Sequence, residues 1–144
     1  MSTGSEQELV KEWHDLLDRH AAVHQTLERE LQAQHGIGVC EFEALEGLAS
    51  AENAQCRAQD LTNVVHLSQS AASRLIARME RDGFVERVMC DADRRGIIVV
   101  LTDDGRKRHL EAQPTHRSVL AATLRAGRAE GAPPRHSPPA AEPG

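Results

Sequence analysis

The sequence is poor in aromatic residues, with one Trp, two Phe and no Tyr among its 144 residues. Its core must therefore be built from Leu, Val, Ile and Ala, and at this length one domain is expected. No apolar run is long enough to cross a bilayer, and the N-terminus is polar and acidic, unlike a signal peptide. We therefore expect no membrane span and a cytoplasmic protein.

Cysteines and catalytic motifs are equally scarce. Cys40, Cys56 and Cys90 are too widely spaced to match a zinc pattern, and in a reducing cytosol we expect them to be free thiols. No nucleophile motif, phosphate-binding loop or paired-carboxylate arrangement stands out. We therefore expect neither an enzyme nor a bound metal or cofactor.

The net charge of −5 conceals an uneven distribution along the chain. Residues 1–65 contain 4 basic and 12 acidic residues, whereas residues 66–108 contain 9 basic and 7 acidic residues. The middle of the chain is thus the part that can attract a polyanion. Its excess of positive charge is small, which predicts weak non-specific binding to DNA.

A helix is predicted to begin after Ser68, which is a good N-cap residue. At 100° per residue, Ala72, Leu75, Ile76 and Met79 fall on one arc, which is the spacing of a buried stripe. The opposite face is small, polar and basic without any acid, and consists of Gln69, Ser70, Ser73, Arg74, Ala77 and Arg78. Such a face can approach base edges and donate hydrogen bonds to them. An ordinary amphipathic helix with a solvated face is the alternative interpretation.

A β-hairpin is predicted directly after this helix. Gly83 suits the helix end, and residues 84–90 and 96–101 have the composition of two strands. In the intervening loop, Arg95 could enter a minor groove while Asp93 holds it extended by a charge-assisted pair. A solvated turn with local ion pairs is the alternative. Thr102 is a candidate N-cap for the helix that follows.

The flanking segments are predicted to be helical. Residues 6–34 carry a heptad-like stripe that indicates packing against another helix; it consists of Leu9, Trp13, Leu16, His20, Val23, Leu27 and Leu31. Two shorter helices are expected at 39–49 and 57–64, joined by a polar connection. A helix from Thr102 meets Pro114, which either kinks or stops it, and can resume as far as residue 126. Residues 127–144 are rich in proline and are expected to be disordered.

Together these segments resemble the MarR family of winged-helix transcription regulators over roughly residues 8–124. The matching stretches are HGIGVCEFEAL (35–45), LSQSAASRL (67–75), MERDGFV (79–85), DRRG (93–96) and VLTDDG (100–105). The resemblance implies a mainly α fold with a small β-hairpin wing. Residues 39–101 would form the winged helix-turn-helix, and residues 6–34 and 102–126 the N- and C-terminal dimerisation helices. The proline-rich tail departs from the family, whose members usually close the dimer with a further C-terminal helix.

The resemblance also implies a homodimer, most often a repressor, bound to a pseudo-palindromic site on double-stranded DNA. Gln69, Ser70 and Arg74 would contact base edges, and Arg78 would contact phosphate. The remaining expected DNA-binding residues are Ser68, Ser73, Asp93, Arg94 and Arg95.

Family members often respond to a small-molecule effector, and by this analogy Trp13, His20 and His24 are candidate pocket residues. His20 and His24 are also spaced to share a metal, although hydrogen-bonded interface histidines are the stronger interpretation. Two other functions stay open: a protein-binding adaptor that does not bind DNA, and a metal or redox sensor on the same scaffold.

Overall fold

Five α-helices and three short strands make up the part of the chain that the computed structural model describes, residues 2–89 and 96–131. In chain order they are α1 (Ser2–His35), α2 (Val39–Ser50), β1 (Gln55–Arg57), α3 (Ala58–Val65), α4 (Gln69–Arg81), β2 (Val85–Met89), β3 (Ile97–Leu101) and α5 (Asp103–Gly131). The predicted mainly α fold with a small wing is confirmed. None of the described helices is long and apolar enough to cross a membrane.

An aliphatic core joins α2, α3 and α4. The stripe predicted on α4 is confirmed, because Ala72, Leu75, Ile76 and Met79 are all buried. Leu75, Ile76 and Met79 pack into one cluster with residues of the two preceding helices, among them Phe42, Leu45, Leu48, Leu61 and Val65. Burial of each large side chain stabilises the fold by about 1.5–3 kcal/mol, so this stripe fixes which face of α4 remains outside.

The sheet is antiparallel and its strands lie in the order β1-β3-β2. The predicted hairpin is confirmed as β2 and β3, with Val85 opposite Leu101. The first strand was not expected: Cys56 pairs with Val99 inside what the sequence indicated to be a polar connection. The predicted wing residues Asp93, Arg94 and Arg95 lie outside the described residues, as does Cys90.

Among the described residues, only the C-terminal part of α1 packs against the rest of the chain, mainly against α5. The predicted stripe on α1 is therefore divided. Leu27 and Leu31 are buried, whereas Leu9, Trp13 and Leu16 are each more than half exposed.

The last helix, α5, decides between two open alternatives and corrects one expectation. Pro114 lies inside the helix without ending it, and the helix reaches Gly131, so the expected disorder from residue 127 is wrong for residues 127–131. Packing against α1 offsets the backbone hydrogen bond that proline removes. Thr115 Oγ1 lies 2.8 Å from His35 Nε2, and Arg108 Nη1 donates to the His35 carbonyl at 2.6 Å. Residues 132–144 lie outside the described part of the chain.

The start of α5 is tied to the wing. The predicted N-cap is confirmed, since Thr102 Oγ1 accepts a hydrogen bond from the Gly105 N–H at 3.0 Å and donates one to the Gly83 carbonyl at 2.6 Å. A Cβ atom at Gly105 would overlap the Phe84 carbonyl, so this close approach of helix and strand requires glycine.

Candidate nucleic-acid interface

The exposed face of α4 brings together the residues that the sequence predicted there. Ser68 caps the helix, because its Oγ accepts a hydrogen bond from the Ala71 N–H at 3.2 Å. The exposed residues along the helix are Gln69, Ser70, Ser73, Arg74 and Arg78. His66, in the left-handed conformation with φ of 56°, ends α3 and turns the chain sharply into α4. The result is a helix-turn-helix whose second helix presents a small, polar and basic surface.

A groove of about 370 Å³ runs between α3, α4 and the sheet, and its residues extend the predicted surface. It is lined by Arg57, Ala58, Gln59, Thr62, Gln69, Ser73, Ile76, Arg87, Gly96 and Ile97. Sequence reasoning missed the two arginines, which lie on β1 and β2. Arg87 Nε donates to Glu80 Oε1 at 3.0 Å, which links the second strand to the end of α4. Arg87 could have been suspected from its place in the predicted hairpin, whereas Arg57 lies in the strand that was not expected.

Arg78 is held by a buried carboxylate that the sequence did not reveal. Its Nε donates to Glu41 Oε2 at 3.2 Å, and the Glu41 side chain is 8% exposed whereas that of Arg78 is 48% exposed. Glu41 Oε1 accepts a hydrogen bond from the Gly38 N–H at 2.7 Å. One acidic side chain therefore connects the start of α2 with the exposed face of α4.

A second polar cluster lies between α2 and α5, away from this face. The His116 ring stacks on Phe42 with centroids 4.4 Å apart, and His109 lies on the same ring at 5.3 Å. Arg117 donates two hydrogen bonds to the Glu46 carboxylate, at 2.9 and 3.1 Å. Burial and the neighbouring Arg117 charge lower the pKa of His116. Although burial raises the pKa of Glu46, the hydrogen bonds from Arg117 and His109 outweigh it and lower that pKa.

The candidate effector residues lie on the part of α1 that extends from the protomer. Trp13 and His20 are exposed, His24 is half-buried, and the two histidine rings stack with centroids 5.9 Å apart. In the described part of the chain, no three His, Cys, Asp or Glu side chains come together as a metal site.

Two cysteines are half-buried free thiols. Burial, followed by the nearby Glu43 charge, raises the pKa of Cys40. Burial, followed by Asp60, raises that of Cys56. A raised pKa lowers the thiolate fraction, and the thiolate is the form that reacts with oxidants.

A helix-turn-helix followed at once by an antiparallel hairpin and framed by long helices defines a winged helix-turn-helix protein. The chain belongs to the MarR family of transcriptional regulators. A MarR family model matches residues 35–96, from the last residue of α1 to the residue before β3.

Similar proteins agree with this assignment. The transcriptional repressor MprA of Escherichia coli K12 is 33% identical over 90 residues, which cover 62% of this chain and 51% of the repressor. The chain thus spans about half the length of the curated relatives it matches. AbsC, a MarR family regulator from Streptomyces coelicolor, is 30% identical, with 80% and 77% of the two chains covered and a TM-score of 0.74. Sco3205 from the same organism, solved in complex with DNA, is 26% identical, with 84% and 77% covered and a TM-score of 0.76.

Proposed function

We propose that this protein is a sequence-specific DNA-binding transcriptional regulator, and a repressor, that acts as a homodimer on a pseudo-palindromic operator. The observation that carries the proposal is the face of α4, which is exposed, small, polar and basic. Glu80, an acid that also lies on this face, is at the C-terminal end of the helix and pairs with Arg87 of β2. MprA is a transcriptional repressor and Sco3205 was solved with DNA, which supports the same role here. Because a transcriptional regulator acts on chromosomal DNA, we expect the protein in the cytoplasm. We propose no catalytic activity.

In this proposal α4 lies in the major groove. Gln69, Ser70 and Arg74 contact base edges near the helix N-terminus, where an arginine can pair bidentately with guanine. Arg78 lies one turn beyond Arg74 and contacts a phosphate. Ser68, Ser73 and the wing residues Asp93, Arg94 and Arg95 complete the proposed contacts, with Arg95 in the minor groove.

The homodimer is proposed from the exposed part of α1. Leu9, Trp13 and Leu16 form the apolar continuation of a stripe whose other end is buried within the protomer. A second copy would cover them and place the two α4 helices about one DNA turn apart, roughly 34 Å. The same interface would bring Trp13, His20 and His24 against a partner helix, where we propose that a small-molecule effector binds.

Two alternatives are less well supported. A redox sensor needs a reactive thiol, and the raised pKa values of Cys40 and Cys56 argue against either residue serving as one. A protein-binding adaptor would not need the small, polar and basic face of α4, and it predicts no DNA affinity that depends on salt.

The test is selection of genomic DNA fragments by the purified protein at moderate salt, followed by sequencing of the retained fragments. An enriched inverted repeat with half-sites about ten base pairs apart is expected. Arg74→Ala should then change the preference at one position of each half-site by about 1–3 kcal/mol. Arg29→Ala removes the same charge from an exposed position on α1 and should change no preference. Absence of any enriched sequence would contradict the regulator and favour the adaptor.

A further inference from the structure

We infer that Glu41 is a positioning residue for DNA recognition, which holds the Arg78 guanidinium in one orientation against α2 before DNA arrives. The inference rests on the proposed function, since it concerns how α4 is presented to DNA. It adds a residue on α2, outside the helix-turn-helix, to the set that determines how well a specific site is distinguished from other DNA.

The Glu41 side chain is fixed in place. Its side chain is 8% exposed, and each of its carboxylate oxygens has its own donor, the Gly38 N–H for Oε1 and Arg78 Nε for Oε2. Glu28 of α1 accepts from the neighbouring Val39 N–H at 3.0 Å. The two N–H groups at the start of α2 are thus bound by carboxylates from two different helices, which leaves Glu41 little freedom to rotate.

The buried Glu41 carboxylate keeps the Arg78 guanidinium beside it. A charge removed from water is costly unless it is paired and hydrogen-bonded, so rotation of Arg78 away from Glu41 is unfavourable. Arg78 therefore remains in place, although its side chain is 48% exposed. Arg78 lies four residues after Arg74, on the same exposed face of α4.

The fixed orientation of Arg78 affects how the protein binds DNA. An arginine that is already ordered does not lose side-chain entropy when it contacts a phosphate. This advantage applies only when α4 lies in the groove of a specific site, where the ordered guanidinium meets a phosphate. The pair with Glu41 also offsets part of the arginine charge, which limits attraction to DNA of any sequence. Glu41 should therefore raise the ratio of specific to non-specific affinity.

The experiment measures the affinity of the full chain for a selected operator and for a scrambled duplex, over a range of salt concentrations. Glu41→Gln should lower the affinity for the operator about tenfold, because binding would then include the entropy cost of ordering one long side chain. The affinity for the scrambled duplex should stay equal or rise. Glu43→Gln removes the same charge from the same helix and should leave the ratio of the two affinities unchanged. Glu41→Asp keeps the charge but is too short to reach both donors, and it should lower the ratio as Glu41→Gln does.

A double-mutant cycle completes the test. In an Arg78→Lys background, Glu41→Gln should change the ratio by less than about twofold, because the oriented guanidinium is already lost. A merely structural role for Glu41 would lower both affinities in proportion to the folded fraction, and that result would overturn the inference. If the wild-type protein selects no DNA sequence, the proposed function itself fails. If it selects one and the ratio is unaffected by Glu41→Gln, only the positioning role fails.

Discussion

At the scale of single residues, the surroundings of His116 determine the protonation state of its ring. Its ring is enclosed between α2 and α5, stacked on Phe42. The Arg117 Nη1 lies 2.7 Å from His116 Nδ1, and because a guanidinium can only donate, that nitrogen accepts and the ring is neutral. Protonation would place two cations in contact, which agrees with the lowered pKa of His116.

A pH dependence of stability follows. Because the pKa of His116 is lower in the folded state than the ordinary 6.5, the unfolded chain binds more protons as the pH falls below that value. The free energy of unfolding should therefore be highest above about pH 6.5 and decrease as the pH falls below that value. Urea unfolding between about pH 5 and 8 measures this. The pKa of Glu46 is lowered from 4.5, so the stability that Glu46 contributes is lost mainly at more acidic pH.

His116→Gln should flatten this pH profile, whereas His14→Gln, at an exposed position on α1, should leave it as it is. A profile that keeps its slope in the His116 variant would assign the effect to another group.

At the scale of elements, Pro114 interrupts the hydrogen bonding of α5 at an exposed position. Proline in a helix interior costs about 3 kcal/mol relative to alanine. We expect Pro114→Ala to raise the free energy of unfolding by about 1–3 kcal/mol, measured by urea titration. Ser118→Ala, one turn along the same exposed surface, should raise it by less. A loss of stability in Pro114→Ala would mean that α5 packs on α1 only with the bend that proline imposes.

Elements with their own hydrophobic period could be predicted from the sequence, whereas contacts between distant segments could not. The α4 stripe from Ala72 to Met79 follows from its spacing alone. By contrast, β1 has three residues with no buried side chain, and it is a strand only because Cys56 meets Val99. Glu41 and Arg78 are 37 residues apart, and no local pattern indicates that a fold will join them.

At the scale of the whole molecule, the exposed stripe of α1 predicts that two copies of the chain associate through this helix. Leu16→Glu places a charge in the proposed interface and should convert the dimer to a monomer, which sedimentation velocity at micromolar concentration would reveal. The control is Met89→Glu on β2, where the apolar side chain is 67% exposed, compared with 56% for Leu16. This variant should leave the dimer intact. A dimeric Leu16→Glu variant would place the interface elsewhere.

The length of α1 has a consequence for how much of the protein is folded at a given concentration. Its 34 residues span roughly 50 Å, and residues 4–22 are exposed throughout in a single protomer. An isolated helix of that kind is only marginally stable in water, so in the proposed homodimer its ordering and the binding of a second chain would be coupled by mass action. Cellular abundance would then set both how many sites are occupied and how much of each chain is structured.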